Sequence, residues 1–250
     1  LQRSRGYALR PSLMPEDMAP AIAAIKRARP DVYVFVDNCY GAFVTDDEPT
    51  FHGADVAAGS LIKNLGGGIA PTGGYLAGSR KAIERIARRL TAPGIGLEVG
   101  SYEAGYRPFY QGLFMAPHTV CQAKKTAALA ARVAELLGLR ALPGAFEARS
   151  DIIQALIMGS PQRVVAYCQG IQQASPVDSF AAPEPWRMPG YADAVIMAAG
   201  AFVQGASIEL SCDAPMRPPY AVYQQGALTY AAGKLAVKAA FTRLMEAEDA

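Results

Sequence analysis

The rhythm of apolar and polar positions changes several times along the 250 residues, and each change predicts an element. The first rhythm is helical. From Pro15 the apolar residues Met18, Ile22 and Ile25 share one face as far as residue 29, with Glu16 and Asp17 in the opening turn. "VYVFVD" (residues 32–37) then runs apolar without a break and ends in an acid. Such a run predicts a parallel strand buried on both faces, with Asp37 at its carboxyl edge, where open α/β sheets bind ligands. "GADVAAGSL" and "GGYLAGS" read as two more short strands. "RKAIERIARRL" reads as an amphipathic helix with Ile83, Ile86 and Leu90 inward. Residues 91–112, rich in Gly, Pro and Tyr, predict a long loop of the kind that often carries function. An alanine-rich helix from about Pro117 to Leu137 follows, stopped by Gly138.

Past that helix the pattern shifts. A strand is expected over residues 151–158, then a helix with Ser160 as N-cap and Pro161 in its first turn. Two or three strands follow between Ala194 and Gln224, and a last helix begins near Leu228. This order predicts an α/β chain with a boundary near residue 117. Residues 1–116 would form part of a mostly parallel-sheet domain, and residues 117–250 a bridging helix and a smaller α+β domain. No internal repeat is visible.

Composition narrows the function classes. A formal net charge of +2 supplies no whole-chain field for nucleic acid or anionic membrane. Arg3, Arg5 and Arg10 form a local basic cluster, readable equally as a solvated edge. The four cysteines contain no C-x-x-C pair and there are only two histidines, so neither a zinc site nor a disulfide framework is expected, and a reducing cytoplasm is the simplest home. The longest apolar stretch, "AVIMAAGAFVQGASIEL", is short for a bilayer span and is interrupted by Gln204 and glycines. The opening "LQRSRGYALRPSL" reads like the middle of a longer protein, so a fragment is expected.

The candidate chemistry gathers at "AGSLIKNLGGG" (residues 58–68). A lysine among apolar groups loses solvation of its charged form, which makes a neutral, nucleophilic amine available. Such an amine condenses with an aldehyde to a Schiff base, and pyridoxal 5'-phosphate is a common biological aldehyde. That cofactor needs an anion beside its pyridine nitrogen, a place Asp37 could fill, and a phosphate site, for which Ser60 and its turn are candidates. Gly66, Gly67 and Gly68 would let the backbone turn close to the cofactor. Each part has a plainer reading: Asp37 as a turn or cap residue, Lys63 as a surface lysine, Ser60 as a hydroxyl bonded back to its own turn. No G-K-S/T follows the glycines, and "GIGLEVG" (residues 94–100) misses the dinucleotide spacing by one residue, which argues against a nicotinamide dehydrogenase.

"FVDNCYGAFVTDDEP", "GADVAAGSLIKNLGGGIAPTGGYLAG", "RLTAPGIGLEVG", "QGLFMAPHTV" and "AAGAFVQGASIELSCDAP" together resemble the methionine gamma-lyase family, described also as cystathionine beta-lyase family proteins involved in aluminium resistance. The resemblance spans essentially the whole chain. It implies a fold-type I pyridoxal phosphate enzyme of cysteine and methionine metabolism, homo-oligomeric as a dimer or tetramer. Lys63 would carry the cofactor, Asp37 would pair with its pyridinium nitrogen and Ser60 would contact its phosphate. Arg217 is the candidate for the substrate carboxylate, and Tyr40 and Thr72 for the border of the substrate pocket. The family chain is longer at its N-terminus, so the glycine-rich phosphate loop and the stacking aromatic are expected outside these residues, and the fragment alone is expected to be inactive. The implied activity is carbon–sulfur lysis of a sulfur amino acid by β- or γ-elimination. The alternatives are another pyridoxal phosphate reaction, such as transamination or racemisation, and a non-catalytic or diverged homologue.

Overall fold

The computed structural model describes residues 1–98, 102 and 105–247. Two sheets organise the chain. The first contains β1 (Phe35–Asp37), β2 (Val56–Ser60) and β3 (Gly74–Gly78) in that order, with β1 and β2 parallel and β3 antiparallel to β2. The opening residues lie parallel beside β1: the Asp37 amide donates to the Leu1 carbonyl at 2.8 Å, and the Arg3 amide to the Asp37 carbonyl at 3.1 Å. α1 (Pro15–Ala28) starts on proline with acids in its first turn and bases in its last, as the helix dipole favours. Its buried Met18 and Ile22 pack with Val34, Val36 and Ala54.

The expected two-sided burial of residues 32–37 is not what forms. Val34 and Val36 are buried, whereas Phe35 is 46% exposed and Val32 36%. The apolar run hides one face in α1 and turns the other to a groove of about 460 Å³ beside α2 (Arg80–Leu90). α2 is capped by the Ser79 hydroxyl, which accepts from the Ala82 amide. It buries Ala82 and Ala87 and leaves Leu90 61% exposed, so Leu90 does not point inward.

The long helix also departs from expectation. α3 runs Arg107–Leu136, beginning ten residues before Pro117 and carrying that proline inside it. The residue placed at a domain boundary therefore lies within a helix, and the expected loop over 91–112 is replaced by helix from Arg107. Residues 99–101, 103 and 104 of that loop, including the end of "GIGLEVG", lie outside the described residues.

The second sheet is antiparallel throughout. Its order is β4-β5-β8-β7-β6, built from β4 (Arg140–Leu142), β5 (Gln154–Ile157), β6 (Val195–Ala198), β7 (Ser211–Pro215) and β8 (Ala221–Gln225). α4 (Pro161–Gln173), capped by Ser160 as expected, packs on it with α3, and α5 (Tyr230–Glu246) packs against those two helices. The largest core of the chain fills that layer, with Tyr167 edge-on to Phe241. β4 was not anticipated, because three residues with one buried position carry no rhythm.

Arg3 and Arg5 are neither a basic patch nor a solvated edge. Arg3 is fully buried and donates to Ser150, Asn38, Glu48 and Thr45 at 2.6–3.1 Å. Arg5 is buried beside Asp151, and Arg10 donates to backbone carbonyls.

Candidate functional site

β1 and β2 run parallel with Asp37 opposite Ala58, so Asp37 and Ser60 emerge at the same carboxyl edge of the sheet. One Asp37 oxygen accepts the Cys39 amide at 3.1 Å, and the Cys39 thiol lies against the same carboxylate. Burial, followed by contact with Asp37, pushes the thiol's pKa up. The Ser60 hydroxyl accepts the Ile62 amide at 3.2 Å. It is thus bonded back to its own turn, and its hydrogen is left to donate elsewhere.

That turn presents Lys63. Its amide bonds to the Ser60 carbonyl at 3.3 Å, and its Nζ lies 5.2 Å from the centre of the Tyr40 ring. The side chain is half-buried rather than enclosed as the sequence suggested. Tyr40 itself is held in a low-polarity setting that raises its hydroxyl's pKa. Asn64, fully buried, donates to the Tyr40 and Ala42 carbonyls at 2.9 and 3.0 Å, locking the Lys63 turn onto the Tyr40 loop. Arg3 holds that loop from behind through Asn38, Thr45 and Glu48.

The glycines permit close approaches within the protein itself. A Cβ on Gly66 would lie 1.6 Å from the Leu61 carbonyl oxygen, and one on Gly67, at φ +60°, 2.4 Å from the Gly112 carbonyl oxygen of α3. A Cβ on Gly112 would in turn meet the Gly66 carbonyl at 2.3 Å. Thr119 of α3 also donates to the Gly67 carbonyl at 3.1 Å. The close approach they permit is between the Lys63 turn and α3, backbone against backbone.

The second sheet contributes a residue the sequence reading missed. Asp213 on β7 accepts from the Gln225 side-chain amide at 3.1 Å, has the Tyr7 hydroxyl beside it, and lies within electrostatic reach of Lys63. Burial pushes its carboxyl up to about 6 against the opposing pull of those three groups. "SCDAP" looks like strand, and only the fold sets its acid beside Tyr7 and Gln225.

Arg217 is exposed. It pairs with Asp193 at 3.2 Å and donates to the Tyr7 carbonyl at 3.4 Å, so Tyr7 links it to Asp213. Thr72 is exposed and lines a separate aromatic groove of about 480 Å³ with Tyr75, Phe109 and Leu61, a groove that neither Asp37, Ser60 nor Lys63 lines. The structure thus brings Asp37, Ser60, Lys63 and Tyr40 together, reaches Arg217 through Tyr7, and sets Thr72 on another surface. Among the described residues no cluster of metal-ligating side chains exists, and no helix is long and apolar enough to cross a membrane.

Two sheets with helices packed against them give an α/β fold, with Asp37 and Ser60 at one carboxyl edge and Lys63 on the turn that follows. The fold likeness extends to a methionine gamma lyase from Micromonospora echinospora, at a TM-score of 0.54 and 15% identity over 90% of this chain and 59% of that one. The chain belongs to the methionine gamma-lyase family, whose profile, Methionine gamma-lyase, matches residues 1–245. A carbon-sulfur lyase involved in aluminum resistance from Clostridium novyi NT superposes with a TM-score of 0.90 at 51% identity, over 97% of this chain and 56% of that one. Uncharacterized protein YnbB of Bacillus subtilis (strain 168) is 50% identical over 246 residues, which are 98% of this chain and 58% of YnbB. An uncharacterized 33.9 kDa protein of Lactobacillus delbrueckii subsp. bulgaricus is 47% identical over the whole chain and 81% of its own length. The chain therefore spans little more than half of YnbB and of the clostridial structure.

Proposed function

We propose that this chain is part of a pyridoxal phosphate-dependent carbon–sulfur lyase that acts, as a homo-oligomer, on a sulfur amino acid. The observation that carries the reading is the Lys63 amine, presented on a glycine-locked turn beside the carboxyl edge that bears Asp37. The donor set fits the cofactor: an amine for its aldehyde, a carboxylate for its pyridine nitrogen and a hydroxyl for its phosphate. When bound, pyridoxal phosphate supplies an electron sink for the charge left at a substrate Cα.

In this reading Lys63 would hold the cofactor, and its Nζ would be the group that takes the Cα proton. Tyr40, against which Nζ rests, limits where that amine can swing. Asp37 would hold the pyridine end of the cofactor in its charged form, and Ser60, through its free hydroxyl hydrogen, would hold the phosphate. Arg217 would bind the substrate carboxylate by leaving Asp193, whereas Thr72, on its separate groove, has no part in this reading. The carbon–sulfur bond then breaks at the β or γ carbon. The net change is hydrolytic: water is consumed, and a thiol, ammonium and a 2-oxo acid are released.

The test is borohydride reduction of the full-length protein loaded with pyridoxal phosphate, followed by peptide mapping. The label is expected on Lys63 and absent in Lys63→Ala, together with loss of thiol release from amino-acid thioethers. A label on Lys81 or Lys124 would overturn the assignment.

A further inference from the structure

We propose that the cavity between the loop over residues 5–14 and the β4–β5 connection is a binding site for a small organic oxyanion, held by the guanidinium groups of Arg5 and Arg149. The cavity measures about 380 Å³. Arg5 and Ser12 line it from the loop, and Pro143, Arg149 and Asp151 from the connection. Asp37, Ser60 and Lys63 do not line it, so the inference stands apart from the lyase reading.

Arg3 shows what a buried guanidinium needs. Its nitrogens are spent on Ser150, Asn38, Glu48 and Thr45. Arg5 is 5% exposed, yet its Nε finds no hydrogen-bond acceptor among the described residues. The Asp151 Oδ2 stands 4.0 Å away, beyond hydrogen-bond length. That oxygen is already engaged, accepting the Arg5 amide at 3.1 Å and the Ser12 hydroxyl, while Oδ1 accepts the Ile153 amide at 3.0 Å. Arg149 lines the same cavity with its Nη1 buried and unpartnered among the described residues, and its Nη2 reaches the Gly144 carbonyl at 3.4 Å.

Two guanidinium groups are thus met by one buried carboxylate whose oxygens are committed elsewhere. At the rim, exposed Arg140 is offset by exposed Asp17 and Glu147, and Glu147 is turned onto the Gly144 amide at 2.8 Å. Burial holds the Arg149 pKa down to about 10, and the charge of Arg5 acts in the same direction. A bound oxyanion relieves both conditions. It gives the idle N–H donors an acceptor and sets a negative charge beside two positive ones. The planar guanidinium fork suits a carboxylate or a phosphate. Leu9, Leu142 and Pro143 add apolar wall, which suits an anion with a carbon body. The ligand class is a small organic carboxylate or phosphate ester.

The test is equilibrium dialysis of the full-length protein, loaded with pyridoxal phosphate, against radiolabelled phosphate or succinate at an ionic strength fixed with chloride. Retention of about one probe molecule per chain is expected, phosphate alone marking a phosphoryl ligand and succinate alone a carboxylate. Arg149→Gln should weaken retention roughly tenfold or more, the loss of one charge-assisted hydrogen bond. Leu9→Glu keeps both arginines and adds a negative charge at an exposed wall position. It should weaken retention roughly threefold or more, and it decides the matter if Arg149→Gln does not fold. Retention of neither probe would overturn the proposal. So would retention unchanged in both variants; if it fell instead in Ser60→Ala or Arg217→Gln, the anion would lie in the lyase site. A borohydride label away from Lys63 would remove the lyase reading and leave this result untouched.

Discussion

At the scale of single residues, the site separates groups whose charge is used from groups whose bonds are used. Asp37 is of the first kind in the proposed lyase. Asp37→Asn keeps its shape and its acceptor for the Cys39 amide but removes the charge. Losing one charge-assisted hydrogen bond of about 1.5–3 kcal/mol predicts at least a roughly tenfold fall in thiol release with cofactor still bound. Unchanged turnover would make Asp37 structural. Asp213 makes an opposite prediction for stability. Its carboxyl is raised from 3.8 to about 6, so the folded state holds that proton more tightly than the unfolded one. The stability this represents is fully present below the unfolded value and is lost as pH rises through about 6. Asn cannot incur that loss. Asp213→Asn should therefore raise Tm at about pH 8, by an amount equivalent to up to about 3 kcal/mol, and the gain should shrink toward zero near pH 4. A pH-independent difference would mean the carboxyl is not titrating in the fold. Arg3 belongs to the second kind. Arg3→Ala would strand Asn38, Thr45 and Glu48, so denaturant unfolding should show a loss of about 3–5 kcal/mol.

At the scale of elements, the turn carrying Lys63 is positioned by α3 rather than by the strand it leaves. Gly66 and Gly112 interlock so tightly that neither tolerates a Cβ. Gly112→Ala must push α3 away from the turn and shift Lys63 relative to Tyr40, whereas Gly94, with nothing near its added Cβ, has no such neighbour to displace. Gly112→Ala is expected to destabilise by about 1–3 kcal/mol, read by urea unfolding, and to weaken cofactor binding. Full stability in that variant would show that the helix and turn are not in the register described. The helix's early start has a cause in the same contact. Its first turns contain glycine, proline and aromatics with poor intrinsic propensity. They are helical because Gly112, Ala116 and Thr119 must reach the Lys63 turn, a tertiary gain no local rhythm reports.

At the scale of the whole molecule, the chain builds two sheets of different construction. The second is a closed layer with its own core, whereas the first leaves Tyr33, Phe35, Ile86 and Leu90 lining an open apolar groove. The 250-residue chain by itself is expected to bind the dye anilinonaphthalene sulfonate in its folded state. Phe35→Ser with Leu90→Glu should cut that fluorescence by about half or more. Unchanged fluorescence would place the accessible apolar surface elsewhere.

What the linear chain determined by itself is everything its nearest neighbours decide. The N-cap Ser160, the start of α1 at Pro15, and the acid ending an apolar run are choices made within one turn or one strand, where rotamer, dipole and periodicity act over a few residues. Lys63, Asp37 and Ser60 stood out as candidates for a related reason: each stands at the end of a strand or in the turn that leaves one. Only the tertiary structure decided the rest. Val34 and Phe35 are both apolar, and the packing of α1 against one side of the strand determines which is hidden. Arg3 looks like a surface charge until the turn after β1 and Ser150 enclose it. Asp213 sits in an ordinary strand, and no local pattern distinguishes a carboxylate facing water from one sheltered beside Tyr7 and Gln225. Burial and charge pairing are properties of what arrives from elsewhere in the chain, so they appear only once the chain has folded.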